Sequence, residues 1–399
     1  MTPENLTSFI VTNGPVYTSD PDNEWAEAFA VRDGRILAVG DEAEIRSLVS
    51  GDTPVIDLRG RLAMPGLVDV HAHLGLGGRQ AAFELPVLPT DTKTVIFEKV
   101  QAWAERLAPD EWIIGGIVGS TVMDDITAED LRALDKASAG RPVLLRDDSM
   151  HNRWVNTRAL ELMGVTINTP DPEGGTYSRD DNGALTGVLQ ELASPVGEEA
   201  AAASIQESAE RHGTAFRTAV QILNSFGVTA VQEAATMDYA LETLADLDRR
   251  GELTAHVVAS MPSRPFIEPG TTGPELYDIG ELHRTEHVHP DFSKYVLDGV
   301  PMTRTSAMLS PYLCSHRSHD PNHTAEPLWE LGELTASLEA LVDRGLHAKL
   351  HATGDAAVRR DRGAALHRLV RSNAKQGFES LDVVVLLSAG SELACPDRG

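Results

Sequence analysis

The pattern of hydrophobic and polar positions changes once along the chain, near residue 65. Before that point, AFAVRDGRILAVG (residues 28–40) alternates apolar and polar side chains on either side of Asp33-Gly34. An Asp-Gly pair between two alternating runs is a strong signal of a β-hairpin. The stretch TPVIDLRGRLAMPG continues the strand-like pattern, so residues 1–65 are predicted to form a small β-unit.

After residue 67, short apolar runs alternate with amphipathic stretches. Helices are predicted over residues 94–107, 126–137, 199–225, 236–250 and 331–345. The strand candidates between them are EWIIGGIVG, RPVLLRD, GVTAVQEA, AHVVASM, KYVLDGV and HAKLHATG. This alternation favours a parallel sheet covered by helices, with a (β/α) barrel as the leading form. Residues 168–187 are rich in Pro, Gly, Asp and Asn, and predict either a hairpin over the barrel mouth or an ordinary surface loop.

Composition narrows the classes of partner. The chain has 399 residues, 42% of them hydrophobic, and a net charge of -26, which argues against nucleic acid and anionic membrane surfaces as partners. No apolar run approaches the length of a transmembrane helix. The two cysteines, Cys314 and Cys395, are far apart, which argues against a disulfide scaffold and fits a cytoplasmic protein.

A His-x-His pair ends the apolar run MPGLVDVHAHL. Side chains two residues apart on a strand point to the same side, so His71 and His73 are expected to project together from the strand's C-terminal end. Imidazole nitrogens bind zinc and similar metals. The alternative is one hydrogen-bonded structural histidine beside an exposed one. A second such pair, at residues 287–289, is interpreted as part of a surface loop.

Polar residues also end several other predicted strands. They are Glu233, Asp298, and His351 followed by Asp355. Since the active residues of (β/α) barrels lie at the C-terminal ends of the strands, these side chains are candidates for a common site.

The order of these stretches resembles a known family. VRDGRILAVGD, MPGLVDVHAHL, HNRWVNTRALELMGV with TPDPEGGTYSRDDNGALTGVLQE, GVTAVQEA, KYVLDGVPMTRTSAML and LHATGDAAV follow one another as in the amidohydrolase superfamily. The resemblance is to its N-substituted formamide deformylase-like branch, amidohydrolase family three, and covers roughly residues 8–358.

This resemblance implies an α/β fold, a metal-dependent (β/α) TIM-like barrel with a small N-terminal β-sandwich unit. It implies that His71, His73 and His351 bind one or two divalent ions, with zinc the expected metal. Lys294 occupies the place of a lysine that is often carbamylated and bridges two metals. The implied reaction is hydrolysis of carbon–nitrogen bonds in small amide-type substrates by metal-activated water.

The resemblance also suggests further site residues. A carboxylate must move the proton of the attacking water to the leaving nitrogen; the catalytic residue itself is unassigned, with Glu233 and Asp355 as candidates. His151, Trp154 and Asn156 match a motif near the family's pocket. These residues either contact the substrate or have structural roles, with Trp154 packing in the core and Asn156 capping a helix.

The chain departs from the family after His351. Only 48 residues follow, whereas one strand–helix–strand unit takes about 30 residues or more. No match to the family's later His and Asp motifs is found there. We therefore expect a C-terminally incomplete barrel over residues 66–358, followed by an aberrant tail, 359–399, from a truncated or frame-shifted family member. Open sheet edges would then call for a homo-oligomer or partner. The alternative function is a catalytically inactive remnant or a binding protein.

Overall fold

The computed structural model describes most of the chain outside its C-terminal region. The described residues are 8–148, 152–172, 175–180, 182–191, 193–265, 270–299, 301, 305–312, 322–363 and 384–386. They divide into two units, Met1–Val68 with Gly227–Ala230 and Asp69–Phe226 with Val231–Gly399. No described helix has both the length and the hydropathy needed to cross a membrane.

The N-terminal unit is built on the predicted hairpin. Its elements are β1 (Phe9–Thr12), β2 (Val16–Tyr17), β3 (Trp25–Ala26), β4 (Ala28–Arg32), β5 (Arg35–Gly40), α1 (Glu42–Ser47) and β6 (Val55–Asp57). Four strands form a sheet in the order β5-β4-β1-β6, and β2 pairs with β3. Asp33 and Gly34 both have positive φ, 51° and 75°, as the tight turn of a two-residue hairpin requires.

The second unit begins within the strand that leads into the His-x-His pair. This strand is β7 (Leu67–Ala72), and α2 (Leu74–Phe83) follows it directly. An inserted segment then forms a sheet of its own, in the order β12-β13-β11-β10-β9-β8. Its elements are β8 (Leu85–Pro86), α3 (Lys93–Ala104), β9 (Ile113–Val118), α4 (Ser120–Met123), α5 (Ala128–Ala137), β10 (Val143–Asp147), β11 (Asn152–Val155), α6 (Thr157–Leu162), β12 (Gly175–Arg179), β13 (Leu185–Glu191) and α7 (Ser194–Ala202).

The barrel sheet resumes after this insertion. Its elements are α8 (Ala209–Ser225), β14 (Val228–Glu233), α9 (Asp238–Arg249), β15 (His256–Pro262), α10 (Pro274–Leu282), β16 (Val288–Val296), α11 (Leu331–Asp343), β17 (His347–His351), α12 (Asp355–Gly363) and β18 (Val384–Leu386). The strands lie in the order β18-β17-β16-β15-β14-β7. The described residues therefore form an incomplete barrel of six strands, as predicted.

Helices α8 to α11 bury their apolar faces against this sheet. Phe216, Val220 and Leu244 pack with Val231 and Val257 in one core cluster. Leu276 and Leu338 pack with Met261, Tyr295 and Leu350 in another. Fully burying side chains of this size stabilises the fold by roughly 1.5–3 kcal/mol each.

The outer edge of the sheet is open at β7. It is the last strand in the sheet order, and its side chains Val68 and Val70 are 63% and 54% exposed. Apolar strand residues of a closed barrel are normally covered by helices, so this exposure agrees with the expected incomplete barrel.

Three details of the sequence prediction are wrong. EWIIGGIVG and RPVLLRD supply β9 and β10, which belong to the inserted sheet, because alternation alone does not reveal which sheet a strand joins. The stretch 199–225 contains the end of α7 and all of α8, with a break between them. Val288 and His289 are the first residues of β16 and do not lie in a surface loop, and Val288 is fully buried.

The hairpin predicted within 168–187 is present as β12 and β13, at the edge of the inserted sheet.

Candidate metal centre

The two histidines of the first His-x-His pair lie together at the C-terminal end of β7. His71 is the penultimate residue of the strand, and His73 occupies the N-cap position of α2 without a capping hydrogen bond from its side chain. Their ring centroids are 5.4 Å apart with the ring planes at 89°. This spacing permits two imidazoles to approach one ion.

His71 is held in its neutral form. Burial and the positive charges of Lys294 and Lys349 lower its pKa to about 4, and the buried Nδ1 has no hydrogen-bond partner among the described residues. A neutral imidazole is the form that binds a metal. His71 therefore has the protonation state that a ligand needs at neutral pH.

Two lysines lie side by side in the interior of the curled sheet. Lys294 on β16 and Lys349 on β17 are partners in the strand register and are 3% and 0% exposed. Burial lowers the pKa of each to about 8; for Lys294 the charge of Lys349 adds to this effect. Lys294 therefore supplies a fraction of free amine near neutral pH, which a lysine on the surface would not.

Lys349 spans the interior of the sheet. Its Nζ donates to the backbone oxygen of Val70 on β7 and, at 2.8 Å, to Oε1 of Gln232 on β14. Sequence reasoning missed this residue because a lysine in a strand is normally solvated. The available signal was its position in HAKLHATG, where alternation places it on the same face as His351.

Glu233, at the end of β14, lies against His73. Its side chain is buried and accepts a hydrogen bond from the backbone nitrogen of Leu74, while Oε1 is 3.8 Å from His73 Nδ1. A pocket of about 30 Å³, which Phe216 and Tyr239 also line, adjoins both side chains. That volume holds a water-sized group.

His351, at the end of β17, is oriented by a backbone carbonyl. Its Nε2 is 2.9 Å from the oxygen of Gly299, which assigns the proton to Nε2 and leaves Nδ1 free for another partner. The buried Asp298 fixes this corner, because its carboxylate accepts from the backbone nitrogens of Thr353 at 2.9 Å and Gly354 at 2.7 Å.

The other candidates lie elsewhere. Asp355 is exposed, and its Oδ1 accepts from the backbone nitrogen of Leu309 at 2.7 Å. Trp154 is fully buried, in edge contact with Phe97. Asn156 caps α6 by accepting from Ala159. These contacts favour the packing and capping alternative for Trp154 and Asn156; His151 lies outside the described residues.

The donor set fits a divalent metal by its chemistry. His71, His73 and His351 are imidazoles, of which His71 is half-buried and neutral, and Lys294 is a buried amine of lowered pKa. In the part of the chain that the structure describes, however, no three His, Cys, Asp or Glu side chains are already grouped closely enough to hold an ion. A metal would therefore have to draw these side chains together.

Comparison with known proteins agrees with this geometry. The profile of the Amidohydrolase family matches residues 54–389. The chain is 25% identical over 366 residues to an N-substituted formamide deformylase of Arthrobacter pascens, which covers 88% of this chain and 64% of the relative. It is 28% identical over 368 residues to Protein LONG AFTER FAR-RED 3 of Arabidopsis thaliana, with 88% and 60% covered. The chain thus spans somewhat less than two thirds of these relatives.

A solved structure shares the fold. An uncharacterized metal-dependent hydrolase from Pyrococcus horikoshii OT3 superposes with a TM-score of 0.66 at 21% identity, covering 93% of this chain and 68% of its own. The match of the family profile extends over most of the chain. The chain therefore belongs to the amidohydrolase family.

Proposed function

We propose that the protein is a metal-dependent hydrolase of carbon–nitrogen bonds other than peptide bonds, such as those of amides and N-substituted formamides. The observation that carries the proposal is the half-buried, neutral His71 beside His73 at the strand end where (β/α) barrels keep their active residues. The relationship to the N-substituted formamide deformylase supports this substrate class.

Four residues would hold the metal. His71, His73 and His351 offer ring nitrogens, and Lys294 offers its amine or, once carbamylated, a carboxylate. A bound divalent ion, zinc in our proposal, would lower the pKa of water to roughly 7 and would polarise a carbonyl group. Whether one or two ions bind depends on the carbamylation of Lys294.

Glu233 is the better placed of the two candidate bases. It lies against His73 and adjoins the pocket that fits a water-sized group, so it can accept the proton of a water there and return it to the leaving nitrogen. Asp355 is exposed and engaged with Leu309. The same contact allows Glu233 to orient His73, so its two roles must be separated by measurement.

The test is a hydrolysis screen with matched variants. The purified chain is assayed on N-substituted formamides, N-acyl amines and cyclic amides, before and after chelation and after return of zinc. We expect chelator-sensitive turnover that Glu233→Gln reduces by about 10²-fold or more with metal content retained, and that Asp355→Asn leaves unchanged. Turnover insensitive to chelation would contradict the proposal, and the opposite ranking of the two variants would assign the base to Asp355.

One observation favours a second candidate, a metal-binding or ligand-binding protein without turnover. Among the described residues no preformed metal-ligating group is present. Metal retention by His71 and His73 without hydrolysis of any amide in the screen would support this alternative.

A cytoplasmic location and small-molecule amide substrates are part of the main proposal. We also propose that the chain forms a homo-oligomer through the open β7 edge.

A further inference from the structure

A large cavity of the second unit lies away from the His73 pocket. It has a volume of about 640 Å³ and is bounded by α2, α3, β9 and the α7–α8 connection. A third space of only about 10 Å³ lies between them, sharing Phe83 and Arg211 with the large cavity and Phe216 and Tyr239 with the His73 pocket. No aromatic ring fits through it, so the large cavity is a separate site.

Aromatic rings and arginines line this cavity together. The guanidinium carbon of Arg106 is 4.5 Å from the ring centroid of Trp103, and that of Arg211 is 3.9 Å from the centroid of Phe83. Trp112, which is 7% exposed, also lines the wall. Stacking on a ring occupies the face of a guanidinium and leaves the N–H groups at its edge available to an acceptor.

Neither stacked arginine has a carboxylate partner in the described part of the chain. Other arginines of this protein do, as Arg344 does with Asp278 at 2.7 Å. Arg211 Nε is moreover buried without a hydrogen-bond partner among these residues, a cost that a bound anion would offset.

The acidic residues that line the cavity are mostly engaged. Glu84 and Glu198 bind Arg146 at 2.6 and 2.8 Å. Glu207 binds His212 at 3.0 Å, and Glu111 accepts from the backbone nitrogen of Ala108. Among the described residues, this leaves Asp110 as the one lining carboxylate without such a contact. None of these acids contacts the guanidinium group of Arg106 or Arg211 in the described part of the chain, so the N–H groups of these arginines are available to an anionic ligand.

We propose that this cavity binds an aromatic carboxylate. The ring would pack against Trp103, Trp112 and Phe83, and the carboxylate would accept from the guanidinium edges of Arg106 and Arg211. The volume is within the range of small-molecule sites, about 300–1,000 Å³. The proposal does not depend on hydrolytic activity, since it concerns binding at a separate site.

The test uses calorimetric titration of the full chain with phenylacetate, benzyl alcohol and acetate. Phenylacetate carries both the aromatic ring and the carboxylate. Benzyl alcohol tests the contribution of the ring alone, and acetate tests the contribution of the carboxylate alone. We expect phenylacetate to bind at least about tenfold more tightly than either of the others, because it alone combines packing of the ring with hydrogen bonds to a charged group. Equal binding of benzyl alcohol, or no binding of phenylacetate at millimolar concentration, would overturn the proposal.

Variants locate the ligand. Arg211→Gln and Arg106→Gln should each weaken phenylacetate binding by about tenfold, and Arg106 is exposed, so its replacement tests the site even if Arg211→Gln does not fold. The matched control is Arg344→Gln, which removes a guanidinium 5.9 Å from the ring of Tyr277 and should leave binding unchanged. Binding that survives both cavity substitutions would place the ligand elsewhere and refute the assignment.

Discussion

Lys349 on β17 donates a hydrogen bond to the backbone oxygen of Val70 on β7, four strands further along the sheet. The contact crosses the interior of the curled sheet and brings a buried positive charge close to His71 on the same strand as Val70. It explains how two strands at distant positions in the sheet contribute to one site. Burial lowers the pKa of His71, and the Lys349 charge that this contact places nearby lowers it further.

Removal of the Lys349 charge should raise the pKa of His71. In Lys349→Met the pKa should move up from about 4 but stay below the ordinary value, because burial is the larger cause and persists. The measurement is a pH titration of imidazole ¹⁵N shifts by NMR. His256, whose pKa is lowered by burial and by His287 and His289, serves as the internal control. An unchanged His71 pKa would show that the Lys349 charge does not act on it.

Substitution of two neighbouring glycines on α2 by alanine should change the free energy of unfolding in opposite directions. A Cβ at Gly78 would lie 2.0 Å from the backbone oxygen of Ala215 on α8, whereas a Cβ at Gly77 meets nothing within 4 Å. Gly78→Ala should therefore lower the free energy of unfolding by ~1–3 kcal/mol through overpacking. Gly77→Ala should raise it by up to ~1 kcal/mol through helix propensity. Urea denaturation of both variants checks this, and equal effects would refute the close packing of α2 on α8.

Asp298 should matter more for stability than Asp355. The buried Asp298 carboxylate accepts from the backbone nitrogens of Ala307, Thr353 and Gly354, so Asp298→Ala leaves buried donors unsatisfied, each at ~1–3 kcal/mol. Exposed Asp355 accepts from Leu309 alone, and Asp355→Ala should cost less than ~1.5 kcal/mol. Chemical denaturation measures both, and a similar loss for the two variants would contradict the role given to Asp298.

The Glu198 ion pairs should make stability depend on pH in the acid range. Burial opposes ionisation of Glu198, but the hydrogen bond and charge of Arg146, with Arg153, lower its pKa below the ordinary 4.5. A group whose folded pKa is depressed stabilises the fold above its unfolded pKa and loses that contribution as the pH falls through the folded value. Glu198→Gln should thus cost ~1–3 kcal/mol at pH 7 and progressively less below pH ~4.5.

The matched control for this prediction is Glu161→Gln. Glu161 is 60% exposed and pairs with Arg158 on one helix surface, so its loss should be small at every pH. Urea denaturation of both variants at pH 7 and at the lowest pH where the protein folds is the measurement. A Glu198→Gln penalty that stays constant with pH would show that the ionised carboxylate is not what stabilises the fold.

The sequence could predict what depends on local pattern. The hairpin at Asp33-Gly34 follows from two residues that tolerate positive φ. The proximity of His71 and His73 follows from their two-residue spacing at the end of a strand. In both cases the physical cause lies within a few consecutive residues.

What depends on distant contacts could not be predicted. Alternation does not reveal that β9 and β10 leave the barrel for a second sheet, because the same apolar run suits either. The buried role of Lys349 depends on acceptors on β7 and β14 that are more than 100 residues away. Part of the lowering of the His71 pKa, the part due to the Lys349 charge, depends on that same long-range contact.

The most direct test of the metal centre is the metal content of the purified chain and two histidine variants, measured by emission spectroscopy after zinc loading and dialysis. His71→Ala removes a proposed ligand at the C-terminal end of β7. His289→Ala removes a histidine of the second His-x-His pair, at the N-terminal end of β16. We predict at least one tightly bound zinc per chain in the wild type and in His289→Ala, and loss of that zinc in His71→Ala. Zinc retained equally by all three proteins would contradict the assignment of the metal centre.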